Sequence, residues 1–406
     1  MSGYDFLRGL LVVEVAKLGP GALGGYLADM GATVVKVEEP GDGDYVRYTG
    51  SHAAGGEAGM GFMYLRWNRG KQSIAIDLRT ANGIALFKRL AAKADVVIEG
   101  MRAGVLDRLG IGHAALRQSN PRQVYCSLSG LGLSGPYAAR GSHGPSFDAF
   151  GGLAQAPATG PVSRYSGITP PPVGMYAMGL HAALGVLAAV IRARSTGEGA
   201  MIEVAATESA AHWLTDALEP LLNPDTAHVR PGFNNADGRL AHWPLMDYYR
   251  TADGEVLLLQ VIMPKFWEKF WRLLGRPDLP DIYAGAATPE AADAEIATRL
   301  TALIASRPFA EWDALFSAND IPFIKVNTCD DLVRDPHFLA RGNVYSAALP
   351  DGQVLRLTST PVKVHGQDFS PALAPVLGEH SDEVLASILG LAPAEIAQLR
   401  DQGTIA

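Results

Sequence analysis

The first 130 residues alternate short runs of β-branched residues with longer segments of helical periodicity. Leu10 to Val15 and Thr33 to Glu38 are predicted strands, and Ala22 to Met30 between them has the apolar spacing of a helix. Gly83 to Ala94 repeats that spacing, and Asp95 to Ile98 follows as a buried strand. This alternation is typical of βαβ units. The pattern therefore predicts a doubly wound α/β domain built on a parallel sheet.

The second half of the chain departs from this alternation. From Gly179 a long Ala- and Leu-rich stretch has the spacing of a core helix, and it ends at STGEG before a predicted strand at Met201 to Val204. Residues 223–239 are rich in Pro, Asn, Asp and Gly, which is typical of a linker. The strand-like EVLLLQV and the helical KFWEKFWRLLG beyond it indicate a separate α+β module.

These changes in pattern predict two domains. The predicted parts are a large domain at residues 1–205, completed by residues 335–406, a connecting helix at 206–224, and a smaller α+β domain at 225–330. A chain of 406 residues with 48% apolar composition can bury two cores of this size.

Charge and cysteine content narrow the classes of partner. The 42 acidic and 34 basic residues give a net charge of −8, which disfavours a surface for nucleic acid. Cys126 and Cys329 lie far apart and outside any metal-ligand spacing, so we expect no disulfide, no metal and a reducing compartment. The N-terminal segment lacks a signal-peptide pattern, and the apolar segment 183–191 is shorter than the roughly 20 residues of a membrane span. We therefore expect a cytoplasmic protein without a membrane partner.

A formal GxGxxG motif, GPGALG at Gly19 to Gly24, follows the first predicted strand. In this position such a motif suggests a dinucleotide-binding turn. However, the acidic residues Glu38 and Glu39 come earlier than the expected spacing of ~20 residues, and Pro20 removes a backbone donor from the turn. An NAD-dependent oxidoreductase is therefore the most remote of the alternatives.

Asp148 is the acidic residue with the most apolar neighbours. It lies beside Phe147 and Ala149, with Phe150 close by, in a Gly-rich segment. A carboxylate in such a setting is either paired structurally or tuned for chemistry, and the sequence leaves both possibilities open.

A basic segment, NRGKQS at residues 68–73, opens another predicted strand. Such a charge run usually marks a solvated face. The alternative is an edge that contacts phosphate, which requires Arg102 and Arg108 to converge on it.

Seven segments in a fixed order carry a family resemblance. They include LRGLLVVEV, LADMGATVVKVEEPGDGD, NRGKQSIAIDL, ADVVIEGMRAGVLDRLGI and LGEHSDEVLASILGL. Together they resemble the class III CoA-transferase family, also called the CaiB/BaiF family, over essentially the whole chain. The resemblance implies a large doubly wound domain, a small domain between its two parts, and a dimer of interlocked rings. It also implies an acyl-CoA and a carboxylic acid as substrates.

The resemblance also implies where coenzyme A binds. Carried over by position, the contacts come from Lys17, Leu18, Leu78, Arg79, Met101, Arg102 and Arg108. We expect Arg79 and Arg108 to meet the phosphates. Gly100 and Ala103 depart from the family's NFRPG segment, which puts the local contacts there in doubt.

The most informative departure concerns the nucleophile, because Met175 stands at the position of the family's nucleophilic aspartate. In the family this carboxylate forms a mixed anhydride with the acyl group and then carries CoA as a thioester. A thioether does neither. The family's racemases need the same aspartate and a histidine where this chain has Phe147, so proton exchange lacks both groups. Asp148, at an acidic position of the family's active site, is the only obvious substitute.

Three hypotheses follow from these departures. In the first, the chain is the non-catalytic subunit of a CoA-transferase, paired with a homologous Asp-bearing subunit, as in family members that act on aromatic succinates. In the second, it is a homodimeric CoA-thioester transferase, isomerase or lyase that uses Asp148. In the third, it is a binding or structural protein without CoA chemistry of its own.

Overall fold

The computed structural model of the protein describes residues 3–53, 61–154, 172–225, 243–276, 278, 281–282, 285–349 and 352–406. The chain divides into two units, one formed by Met1–Leu214 with Gly342–Ala406, the other by Thr215–Arg341. The predicted linker at 223–239 lies almost wholly outside the described residues.

Six parallel strands form the sheet of the first unit. They are Leu11–Val15 (β1), Thr33–Glu38 (β2), Gln72–Ala75 (β3), Val96–Glu99 (β4), Val124–Ser129 (β5) and Ala200–Ala205 (β6). Their order across the sheet is β3-β2-β1-β4-β5-β6, and every neighbouring pair is parallel. This order is that of a doubly wound α/β fold, which confirms the predicted fold class. The interlocked dimer stays a prediction.

The helices of the first unit up to residue 214 connect and cover these strands. They are Gly21–Asp29 (α1), Phe62–Asn68 (α2), Ala81–Lys93 (α3), Val105–Arg108 (α4), His113–Ser119 (α5), Pro145–Phe150 (α6), Val173–Thr196 (α7) and Ala206–Ala211 (α8). A short 3₁₀ helix spans Tyr45–Tyr48. The segment predicted as one connecting helix at 206–224 holds two helices, because α8 ends at Ala211 and another helix begins at Thr215 in the second unit.

The second unit packs helices with a three-stranded antiparallel sheet. The helices whose bounds the structure describes are Thr215–Leu222 (α9), Pro264–Leu273 (α10), Pro289–Ile304 (α11), Phe309–Ala318 (α12), Cys329–Leu332 (α13) and Pro336–Ala340 (α14). Its strands are Tyr248–Arg250 (β7), Val256–Leu259 (β8) and Phe323–Lys325 (β9). Trp312 and Phe316 of α12 are fully buried in its core.

After Gly342 the chain returns to the first unit. An antiparallel hairpin, Val344–Ala348 (β10) and Val354–Thr358 (β11), packs Leu355 and Leu357 in a cluster with Tyr64 and Leu65 of α2. Two helices, Ser381–Leu389 (α15) and Pro393–Asp401 (α16), complete the fold.

Side chains that alternate along the strands fill two cores, one on each face of the sheet. Val12 of β1 packs on the face covered by α1 and α7, whereas Val13 packs on the face covered by α3, α15 and α16. Two-sided burial explains why these strands read as continuous apolar runs in the sequence.

Helix α7 extends the apolar stretch of the sequence to 24 residues. Among the described helices it alone has the length and composition of a membrane span, and half of its most apolar window is buried. We expected the apolar segment to be too short to cross a membrane, and its length was underestimated, because the helix that contains it has 24 residues. Its contacts with α1, β5 and β6 are those of a core helix.

Candidate functional site

The strand order creates a crevice at the carboxyl ends of β1 and β4. The chain leaves these adjacent strands toward opposite sides of the sheet, and ligands of doubly wound proteins bind at such a switch point. The segments that directly follow the two strands, residues 17–20 and 100–103, both line a cavity there.

This first cavity has a volume of about 230 Å³ and combines apolar and cationic sides. Its apolar lining comes from Leu128, Phe147, Met175 and Met178, all buried. Its polar lining includes Lys17, Tyr45, Arg102, Arg140 and His143. Within the described part of the chain, no aspartate or glutamate lines it. The cavity therefore suits a ligand with an apolar portion and an anionic group.

A second cavity, of about 260 Å³, lies next to the first. Lys17 and Met101 line both, so the two cavities adjoin. The second is walled by apolar side chains, including Ile76, Leu106 and Leu109, and carries charged groups from the ends of the strands. An apolar slot with a few polar groups at its rim is the common form of a small-molecule site.

Six of the seven residues predicted to contact CoA line these two cavities. Lys17 and Met101 line both cavities; Leu18 and Arg102 line only the first, and Leu78 and Arg79 only the second. Arg108 lines neither. Its assignment to CoA stays a prediction, as do the other six.

Arg79 is exposed but already engaged by carboxylates. Its side chain is 73% exposed, with Nε 2.9 Å from Oδ1 of Asp77 and Nη1 3.1 Å from Oε1 of Glu39. Lys17 lies 3.8 Å from the other oxygen of Glu39. Lys17 and Arg79, both predicted to contact CoA, therefore pair with the same exposed carboxylate, Glu39. Exposed ion pairs contribute little free energy, so a phosphate could replace Glu39 as their partner at a small energetic cost.

Met175 occupies the third residue of α7 and is 4% exposed. A Cβ added at Gly19 would overlap its side chain, 2.5 Å from Sδ. The thioether thus fills the space beneath the turn that follows β1. It presents no group to the first cavity that can act as a nucleophile toward an acyl carbon.

Asp148 caps the helix that carries Met175. Its Oδ2 accepts the N–H of Val173 at 2.8 Å, and its Oδ1 accepts the N–H of Gly174 at 2.7 Å. These are two of the N-terminal amides that lack partners inside a helix. Asp148 is half-buried and is not among the residues lining the first cavity. Of the two possibilities left open by the sequence, the geometry favours structural pairing.

One glycine of GPGALG, Gly24, is explained by a buried carboxylate rather than by a phosphate. A Cβ at Gly24 would collide with Oε2 of Glu14, and one at Gly21 would lie 3.6 Å from Oε1. Glu14 is completely buried in β1. The close passage of α1 over Glu14 therefore accounts for Gly24, as the side chain of Met175 does for Gly19.

Sequence reasoning missed a buried ionic cluster behind the site. Lys71 Nζ contacts both oxygens of Glu14 at 2.8 and 2.9 Å, and it donates to the carbonyl of Gly21 at 2.7 Å. Lys36 Nζ lies 3.3 Å from Glu14 and 3.0 Å from Asp44. Burial lowers the pKa of Lys71 to about 8 despite the pull of Glu14. Burial also acts on Lys36, but Asp44 and Glu14 outweigh it and raise its pKa.

The basic segment 68–73 faces the interior, so neither of its two interpretations was correct. Arg69 is 1% exposed and pairs with Asp29 through two hydrogen bonds of 2.7 and 2.6 Å, while Lys71 belongs to the Glu14 cluster. The sequence did contain a signal for this ionic cluster: each of two apolar strands carries one charged residue, Glu14 in the first and Lys36 in the second. A charge buried inside a strand requires a partner.

These features define an α/β protein with a cavity at the carboxyl end of a parallel sheet, lined so that it suits an anionic, partly apolar ligand. The sequence profile of CoA-transferase family III matches residues 7–381. The chain belongs to this family, the class III CoA-transferases, also known as CaiB/BaiF proteins.

Individual relatives show the range of activities in the family. The chain is 30% identical to succinyl-CoA–D-citramalate CoA-transferase of Chloroflexus aurantiacus, over 100% of both chains. It is 30% identical to human alpha-methylacyl-CoA racemase, over 98% of this chain and 97% of the racemase. It is also 30% identical to the alpha subunit of succinyl-CoA–L-malate CoA-transferase of Chloroflexus aurantiacus, over 98% of this chain and 92% of the subunit.

The fold agrees with solved structures of the family. A CaiB/BaiF family protein from Brucella suis superposes with a TM-score of 0.74 at 29% identity, covering 94% of this chain and 99% of the other.

Proposed function

We propose that this protein binds an acyl-CoA across the two adjoining cavities and serves as the non-catalytic subunit of a CoA-transferase. A homologous subunit that retains the aspartate would carry out the transfer to a carboxylic acid. The single observation behind the proposal is the buried Met175, which lines the first cavity at the position of the family's nucleophile. The first cavity is lined by cationic side chains, whereas none of the described residues that line it is a carboxylate.

The lining of the cavities supports the binding part of this proposal. The apolar slot suits the adenine ring, and Arg79 and Lys17 stand at its rim to receive phosphate oxygens. The first cavity would hold the pantetheine arm and the thioester, with Arg102 at its mouth. A cytoplasmic location, where acyl-CoA is made and used, remains part of the proposal.

The subunit part of the proposal rests on chemistry and on a precedent. Transfer needs a carboxylate that forms an anhydride and then a thioester, which Met175 cannot supply. The alpha subunit of succinyl-CoA–L-malate CoA-transferase, by its name, works as part of a multi-subunit enzyme. The acceptor acid is left open, and the aromatic succinates stay one possibility.

The alternative, a homodimer that uses Asp148 for transfer, isomerisation or lyase chemistry, has less support. To attack a thioester, Asp148 would have to release the N–H groups of Val173 and Gly174. Loss of a helix cap costs about 1 kcal/mol of stability. A cost of about 1.4 kcal/mol added to an activation barrier slows a reaction tenfold. Racemisation is disfavoured as well, because Phe147 in the cavity lining offers no proton acceptor.

Two measurements on the purified protein test the proposal. Calorimetric titration with CoA and succinyl-CoA should show binding, and Arg79→Ala should weaken it about tenfold, the effect of losing one charge-assisted contact. Arg400→Ala, which removes an exposed arginine paired with Asp382, is the matched control and should bind as tightly as the natural protein. Absence of CoA binding by the natural protein would refute the proposed function.

A transfer assay then separates the two hypotheses about catalysis. With succinyl-CoA and a panel of carboxylic acids, the natural protein alone should be inactive. Met175→Asp should gain transfer, whereas Met175→Asn, of the same size but without the charge, should not. Transfer by the natural protein that disappears in Asp148→Asn would instead establish the homodimeric alternative.

A further inference from the structure

The turn after β1 holds a leucine in a conformation that leucine rarely adopts. Leu18 has a φ of +54°, in the left-handed region. In the described chain only one other non-glycine residue, Asp320, shares this feature. The Cβ of an L-residue crowds the following carbonyl there, so the conformation persists only where the surroundings impose it.

The carboxylate of Asp44 binds the amide of this leucine. The amide nitrogen of Leu18 lies 3.3 and 3.2 Å from the two oxygens of Asp44. Asp44 is 1% exposed, and its Oδ1 also accepts the N–H of Val46 at 3.1 Å. Its Oδ2 lies 3.0 Å from Nζ of Lys36, which is completely buried. With both oxygens held from two sides, the carboxylate cannot follow Leu18 into another conformation.

The turn held in this way forms the boundary between the two cavities. Lys17 lines both, Leu18 and Gly19 line the first, and Asp44 itself lines the second. The carbonyl of Leu18 accepts the N–H of Gly21 at 3.0 Å, so the same conformation leads into α1. A change of φ at Leu18 would move Lys17 relative to both cavities.

We propose that Asp44 is a positioning residue of the CoA site, acting through Leu18: it keeps the turn left-handed and thereby holds Lys17 at the junction of the cavities. The inference rests on the proposed binding of CoA. Because a glycine adopts positive φ without strain, Leu18→Gly should make Asp44 dispensable for positioning.

A rescue experiment tests this mechanism by CoA titration. Asp44→Asn, which keeps the size but loses the charge and one acceptor, should weaken CoA binding about tenfold. Adding Leu18→Gly should restore the affinity to within about threefold of the natural protein. Adding Leu18→Ala instead, which removes the same side chain but still strains at positive φ, should not restore it.

Three outcomes would overturn the inference: undiminished affinity in Asp44→Asn, failure of Leu18→Gly to restore it, or equal rescue by Leu18→Ala. Failure of the natural protein to bind CoA would refute the proposed function instead. Hydrogen exchange at the Leu18 amide then decides the role of Asp44 and needs neither CoA nor a folded variant. We expect slow exchange, whereas exchange as fast as that of an exposed amide would contradict the role of Asp44.

Discussion

Replacing Asp148 by alanine should destabilise the start of α7 and leave the two cavities intact. The carboxylate holds the N–H groups of Val173 and Gly174 at 2.8 and 2.7 Å. Alanine leaves both amides to water, at the end of a 24-residue helix that carries part of the core. Asparagine keeps one acceptor, so its effect should be smaller.

The expected magnitude follows from the two lost contacts. A missing cap costs about 1 kcal/mol, and a hydrogen bond to a charged group contributes about 1.5–3 kcal/mol. Because Asp148 is half-buried, water replaces part of this interaction. We expect a loss of about 2 kcal/mol for Asp148→Ala and about 1 kcal/mol for Asp148→Asn. In a chain of 406 residues that corresponds to melting about 2–3 °C lower for alanine.

Thermal and urea unfolding followed by circular dichroism, with CoA titration in parallel, measure both effects. Asp5→Ala is the control, since Asp5 is an exposed carboxylate whose ion pair with Arg8 spans 3.9 Å and should contribute almost nothing. If Asp148→Ala unfolds like the natural protein while CoA binding is lost, the capping argument is refuted and Asp148 acts on the ligand.

Two further predictions concern the buried charges. Gly24→Ala should destabilise the protein by about 1–3 kcal/mol, because the new Cβ collides with Glu14. Gly185→Ala is the control and should not destabilise it, because its Cβ meets only ordinary contacts. Equal unfolding midpoints for the two variants would contradict this explanation. Burial alone would raise the pKa of Glu38, but hydrogen bonds from Arg47 outweigh it and lower the pKa below 4.5. The stabilisation by ionised Glu38 is therefore present above pH 4.5 and lost as the pH falls through the lowered value. Unfolding titrations at several pH values should show a shallower acid dependence for Glu38→Gln, and an unchanged slope would refute this assignment.

The sequence predicted the sheet well because a strand buried on both faces has few alternatives. Thr33–Glu38 agrees with the predicted strand at both ends. The break between α8 and α9 was not predicted, since the apolar spacing continues through residues 212–214. The linker at 223–239 lies largely outside the described residues.

The site was predicted in outline but not in its ionic support. The family resemblance located cavity-lining residues such as Lys17 and Arg79, which local pattern alone could not separate from an ordinary charged surface. The sequence did not predict that the side chains of Arg69 and Lys71 point into the interior, because their partners, Asp29 and Glu14, are distant in the sequence. A run of charges does not reveal whether its partner is water or a remote carboxylate.

The passage of α1 over Glu14 has a consequence for motif searches in other genomes. A chain that packs a helix this closely over a carboxylate in its first strand, with cations equivalent to Lys71 and Lys36 around it, needs a glycine at the crossing, as at Gly24. Such a glycine counts toward a dinucleotide fingerprint although its role is packing. An acidic residue inside the preceding apolar strand, as in LVVEV, marks the false match at the level of the amino-acid sequence.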